Sequence, residues 1–250
     1  MNIDVMWRGV LATAVKDMKI YYRKPPVFIF GLILPTFLFF AFFVGRELDI
    51  ETYFPGFLAM TLFFTASSVG PLIIPWEKQA GTFERLLSLP VSIPILVLGD
   101  TLAGAGFGLI ISTIVFLAGS FLFPFEVTAL AVLALPLLFI LGNLCFAALG
   151  VLLSSPAGPV PSNIMMLAAL VRFPLIFISG IFIPLAEMTG TSRMVTMFSP
   201  LTYLVDGFNH ALGNEGVVPL ALDMLVLLVF TICFLMAANH ILKNKSLKGL

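Results

Sequence analysis

The 250-residue chain balances 13 basic against 13 acidic side chains and is 60% hydrophobic and only 10% charged, where a soluble domain carries about 25% charged residues. That composition implies neither a nucleic-acid nor an acidic partner and points to lipid as the solvent. It holds 26 Phe, and several apolar runs approach the roughly 20 residues that cross a hydrocarbon core about 30 Å thick.

In chain order, residues 1–26 carry Arg8, Lys16, Lys19, Arg23 and Lys24 but no apolar stretch with a small-residue cleavage site, so no cleaved signal peptide is expected. Within them WRGVLATAVKDMKIYYRK repeats Trp7, Leu11, Ala14, Met18 and Tyr22 at helical spacing, and Pro25 and Pro26 end the pattern. This reads as an amphipathic helix flat on the inner leaflet, its basic residues at the headgroups. Six spans follow, at about 27–45, 55–75, 93–120, 129–153, 163–183 and 217–240. Pro71, Pro75 and Pro136 lie inside spans, which is tolerated where neighbouring groups satisfy the freed carbonyls. Cys145 and Cys233 each sit in an apolar run without a ligand-spaced Cys or His and read as small hydrophobes.

The positive-inside rule sets the orientation. With cytoplasmic termini, Arg8, Lys16, Lys19, Arg23, Lys24, Lys78, Arg85, Lys243, Lys245 and Lys248 fall inside, and only Arg46 and Arg193 fall outside. Glu47, Asp49, Glu51, Glu126, Glu187, Asp206 and Glu215 become external. The expectation is a multi-pass protein of the cell membrane with both ends in the cytoplasm.

Two segments outside the spans are patterned. Between spans two and three, WEKQAGTFERLLSLP places Phe83, Leu86 and Leu87 on one face with Glu84 and Arg85 elsewhere, bounded by Gly81 and Pro90. A short cytoplasmic helix with an apolar face suits a groove on a soluble partner, and membrane contact is the other reading. Before span six, SPLTYLVDGFNHAL offers Ser199 as N-cap, Pro200 at the first helical position, and Leu201, Leu204, Val205, Phe208 and Leu212 on one stripe. An external amphipathic helix is expected there, capping a pathway or resting on lipid.

Three ionisable residues fall within spans: Asp100, Arg172 and Asp223. Each costs about 2.5 to 3.5 kcal/mol at a central position and needs a partner or water. At about 1.5 Å per residue, Arg172 lies roughly 13 Å and Asp100 about 9 Å from the inner boundary, and Asp223 about 9 Å from the outer one. The depths predict an Asp100–Arg172 ion pair, with Arg172 as a contact for an anionic substrate the alternative. Gly104, Gly108 and Ser112 form a small-residue stripe suited to close helix approach. His210 and His240 are the two histidines, one expected outside and one at the inner end of the last span, so no catalytic or metal-binding set is expected.

KIYYRKP, EKQAGTFERLLSLPVS, GIFIPLAEM and SPLTYLVDGFNHAL, in that order around six spans, make the chain resemble the membrane subunits of type 2 ABC exporters over essentially its whole length. The resemblance implies an all-α polytopic fold in one transmembrane domain, residues 1–250. Residues 1–26 would form an interfacial connecting helix, 27–183 spans one to five, 184–216 external re-entrant helices, and 217–250 the last span and tail.

It also implies a coupling helix at 77–88 that seats in a partner ATPase through Glu77, Lys78, Gly81, Thr82, Phe83, Glu84, Arg85, Leu86 and Leu87. Lys16, Asp17, Lys19, Tyr22 and Arg23 would mark the connecting helix, and Pro200, Tyr203, Asp206 and Phe208 the external one. No Gly-Lys pair of a phosphate-binding loop occurs, so ATP and Mg are expected on a separate ATPase subunit, with no cofactor bound directly. The assembly implied is a permease homodimer in lipid with two ATPases. Four Tyr and two Trp are few for a path that stacks sugars, which favours a hydrophobic, drug-like or lipid-linked cargo. The competing function is an ion-coupled secondary transporter relaying charge through Asp100, Arg172 and Asp223.

Overall fold

A backbone in lipid must pair its own N–H and C=O groups, and all regular structure among the described residues is helical. The structure, a computed structural model, describes residues 3–44, 50–88, 91–122 and 129–246. Arg46, Glu47, Asp49, Pro90, Glu126 and Lys248, named above, lie outside them. Helix α1 covers Ile3–Tyr21. The first span joins α2 (Pro25–Phe28), a π-helical turn (Ile29–Ile33) and α3 (Leu34–Phe43). The π turn directly precedes Pro35, whose missing N–H interrupts the ladder. Then come α4 (Ile50–Gln79), α5 (Phe83–Ser88), α6 (Ile93–Leu122), α7 (Ala129–Ser154), α8 (Pro161–Phe177), a 3₁₀ turn (Leu185–Glu187), α9 (Gly190–Thr196), α10 (Pro200–Ala211) and α11 (Leu220–Ser246).

Among the described residues, five stretches are long and apolar enough to cross a membrane: Pro25–Phe42, Thr52–Gln79, Ile93–Leu122, Val132–Ser154 and Leu220–Lys245. The span expected at 163–183 is corrected to the 17-residue α8. Pro161 sets its start, and beyond Phe177 the chain turns at Gly180, whose φ is 85°. At about 1.5 Å per residue, α8 is roughly 25 Å long, at the lower limit for a crossing.

Helix α4 is the enclosed centre. Its neighbours α6 and α7 approach through small residues: a Cβ on Gly70 would come within 2.5 Å of the Gly150 carbonyl carbon, and one on Gly104 within 2.8 Å of the Ala66 oxygen. The Gly104–Gly108–Ser112 stripe thus fills the seam between α4 and α7. Around it, Leu58, Leu62, Phe63, Leu138 and Phe146 form the core, with the Phe63 and Phe146 rings edge-on at 4.8 Å. Cys145 belongs to this core, whereas Cys233 lies on the exposed outer face of α11.

Two placements depart from expectation. Helix α1 packs lengthwise along the first half of α6, with Thr13 against Gly99 and Tyr22 against Gly106. Its buried stripe is Val10, Ala14, Asp17 and Tyr21, while Trp7 and Leu11 face outward. The stripe is set by packing: Thr13, whose hydroxyl bonds Gly9 O of its own helix, fits against Gly99, and Asp17 faces Asp100, so Trp7 and Leu11 are left on the outer face. Helix α10 does not rest on the surface either: Leu204 packs on Leu62 and Gly142, roughly three turns in from the ends of α4 and α7. Leu201, Leu204, Val205 and Phe208 are accordingly core residues.

Candidate functional site

Lys78 reaches the Ala157 carbonyl at 2.7 Å and Lys245 reaches that of Pro156 at 2.5 Å. These bonds gather the C-terminal ends of α4, α7 and α11 into one basic end, where lysines suit unpaired helix carbonyls. Here α4 stops in a Schellman arrangement: Thr82 N–H donates to Glu77 O at 2.9 Å and Gly81 N–H to Lys78 O at 3.2 Å, with Gly81 at φ 65°. The helix expected over 77–88 is therefore two elements. Residues 77–79 finish α4, and α5 begins at Phe83 after the glycine turn.

Phe83 also departs from expectation. It does not project outward; its ring is buried among Ile74, Val97, Val151 and Ile164, with Lys78 Nζ 5.1 Å above it. Leu86 and Leu87 are half-buried, and α5 turns Glu84, Arg85 and Ser88 to the outside. The apolar face anticipated for a partner is used to anchor α5 to its own bundle.

Between α5 and the end of α1 opens a cleft of about 600 Å³. Lys16, Tyr21 and Lys24 line one side and Trp76, Thr82 and Arg85 the other. Lys24 Nζ stands 4.4 Å from the Trp76 ring centroid, and Tyr21 Oη donates to Ile73 O at 3.3 Å. Lys19 and Arg23 are exposed, while Tyr22 Oη donates to Ala103 O at 2.6 Å.

At the base of the cleft Lys16 joins two elements. Its ammonium lies 2.8 Å from Asp17 Oδ1 and bonds Glu77 of α4, and Asp17 in turn faces Asp100 of α6. One cation thus pairs with two carboxylates, and a third, Asp100, adjoins them through Asp17. Burial pulls the Lys16 ammonium down, but Asp17 and Glu77 outweigh it and hold it above the ordinary lysine range. Burial also pushes the Asp17 carboxyl up, against the pull of Lys16.

The predicted Asp100–Arg172 pair is absent among the described residues: Arg172 donates through Nη2 to the Ser67 carbonyl of α4. Ser67 lies four residues before Pro71, which has no N–H to give it, so the guanidinium supplies the donor the proline removed. The buried cation thus takes a backbone carbonyl through Nη2 in place of a carboxylate, while its Nε has no hydrogen-bond partner. Asp223 meets neither: it lies beside Asp206 of α10. The charge relay envisaged through Asp100, Arg172 and Asp223 has no continuity, since each has different neighbours.

On α10, Pro200 opens the helix, although Ser199 makes no side-chain cap. Tyr203 Oη donates to Met197 O at 2.9 Å, Phe208 stacks 5.3 Å from Phe139, and Asp206 accepts the N–H groups of Val217 and Val218. These side chains fix the helix and the loop after it. Sequence reasoning missed Tyr21, Lys24 and Trp76 in the cleft and Ser67 as the partner of Arg172. Only the last carried a signal, the proline four residues on.

A family profile described as "ABC-2 type transporter" matches residues 8–212. The inner membrane transport permease YadH of Escherichia coli K12 is 24% identical over 217 residues, covering 84% of this chain and 82% of that protein. Nodulation protein J of Rhizobium meliloti strain 1021 is 23% identical over 234 residues, covering 88% and 83%.

Proposed function

Because this chain belongs to the ABC-2 type transporter membrane family, we propose that it is the permease subunit of an ATP-driven exporter, working as a homodimer with two copies of a separate ATPase. The reading rests above all on the cleft at the basic end. There α5 presents Glu84, Arg85 and Ser88 beside the end of α1, and the Lys16–Glu77 bond ties α1 to α4 directly beneath.

The chain's own residues define the mechanics. An ATPase seated in the cleft pushes on α5; Phe83, wedged between the ends of four helices, passes the displacement to the bundle instead of letting α5 swing free. Lys16 makes α1 move with α4, and Asp17 against Asp100 makes it move with α6. The prolines of α4 supply the bend about which its two halves can rotate. We take the basic end as cytoplasmic, in line with the positive-inside rule, with the ATPase seated there and transport running outward. The cargo is an amphipathic drug-like or lipid-linked molecule, in keeping with long apolar faces open to lipid on α3, α6 and α11, such as Phe37, Ile114 and Met236.

The test is reconstitution with the cognate ATPase in proteoliposomes. Cargo movement should require ATP and survive a proton uncoupler, and Arg85→Glu should lower ATPase association while leaving the permease folded. Transport by the permease alone, driven by a proton gradient, would overturn the reading.

A further inference from the structure

We propose that Asp206, His210 and Asp223, at the end of the bundle opposite the cleft, form a binding site for a divalent transition cation, zinc in the first instance. Asp206 and His210 lie four residues apart on one face of α10, and Asp223 comes from the first turn of α11. One ligand atom from each lies within 4.8 Å of the others.

A second observation stands apart from the clustering. Asp223 is fully buried, and neither of its carboxylate oxygens has a hydrogen-bond partner. No Lys or Arg among the described residues forms an ion pair with it or with Asp206. A buried carboxylate without donor or cation is costly, and a dication between two carboxylates removes that cost.

The surroundings match how ligands are held. His210 Nε2 lies 2.6 Å from Val218 O, so with that N–H donating, Nδ1 keeps the lone pair a metal takes. Gly216 lets the loop close on the ring, since a Cβ there would come within 2.1 Å of it. Asp206 is aimed by the Val217 N–H, shared between its two oxygens at 2.9 and 3.1 Å, and by the Val218 N–H at 2.7 Å on Oδ2, which leaves Oδ1 a lone pair for a metal. It also borders a cleft of about 250 Å³ that Glu187 and Glu215 line as well, which gives a cation an acidic route in.

One imidazole and two carboxylates suit zinc better than calcium or magnesium, which prefer all-oxygen shells. Three protein ligands leave a fourth tetrahedral position open. The bound ion would staple α10 and its following loop to α11. This does not depend on the transport reading.

The test uses the full chain in detergent, stripped with a chelator and titrated with zinc, and with cobalt as a spectroscopic probe. Expected are one zinc per chain by calorimetry, a raised unfolding temperature, and a cobalt spectrum of imidazole and oxygen ligation. Asp223→Asn and His210→Gln should each weaken zinc binding at least about tenfold, while His240→Gln should not. In chelator, Asp223→Asn should unfold no earlier than the parent. Absence of one-to-one binding in the parent, unchanged affinity in both site variants, or equal loss in His240→Gln would each overturn the proposal. Should one site variant fail to fold, the other variant and the parent's cobalt spectrum still decide it.

Discussion

The two ends of the bundle bury acidic groups in opposite ways. At the basic end Asp17, Glu77 and Asp100 come from three different helices and cluster at one lysine, which pairs with Asp17 and Glu77 while Asp100 adjoins Asp17. At the other end Asp206 takes backbone N–H groups, Asp223 has no hydrogen-bond partner, His210 stands beside both, and no Lys or Arg among the described residues pairs with either. An internal cation welds elements together permanently and lets them move as a unit. A site completed from outside joins them only when its ion is present. The end we assign to the motor is built from the first kind of joint.

The largest expected effect breaks the first joint. Lys16→Met strands Asp17 and Glu77 and should cost roughly 3 kcal/mol, the range for breaking a buried ion pair, read as a lower unfolding midpoint. Adding Glu77→Gln should restore part of it. If the two changes simply add, the cluster is not one unit.

Phe83→Ala should cost nearly as much, about 3 kcal/mol for an emptied aromatic site, and should uncouple ATP hydrolysis from transport while ATPase association persists. Arg85→Ala, on the exposed side of α5, should do the reverse: near-native stability with weaker association.

Arg172 probes a third way of burying charge, midway between the ends. Arg172→Met should cost about 2 kcal/mol by leaving the Ser67 carbonyl unpaired. In a Pro71→Ala background, where the restored N–H can take that carbonyl, the same change should cost much less. Equal costs in both backgrounds would show that the guanidinium serves something other than the proline gap.

The smallest effect is at Gly81. Gly81→Ala meets no neighbour, so the expected cost is only that of the left-handed backbone, about 1 kcal/mol. A comparison of ATPase activity in that variant then separates the geometry of the α4–α5 turn from stability.

Much of this was legible in the residues. Five spans followed from apolar length alone, and both patterned segments became helices, because periodicity and turn residues are local properties. The fifth crossing came out long because hydropathy continued past Phe177, while Gly180 had already turned the chain. The Asp100–Arg172 pairing failed for a different reason. Depth along a helix is readable from residue counts, but the direction a side chain faces around its axis is set by packing. The Lys16–Glu77 bond, spanning 61 positions, left no local mark at all. Phe83 shows the same limit: its apolar face was recognised, but not that the chain itself would use it.

The most direct test of the account is site-specific photo-crosslinking from the basic end in cells that co-express the permease and its ATPase. A crosslinker at Arg85 or Ser88 should capture the ATP-binding subunit, and one at Arg193, on α9, should not. Capture of that subunit from Arg193 alone, or from neither end, would contradict the assignment of the cleft as the place where the motor grips.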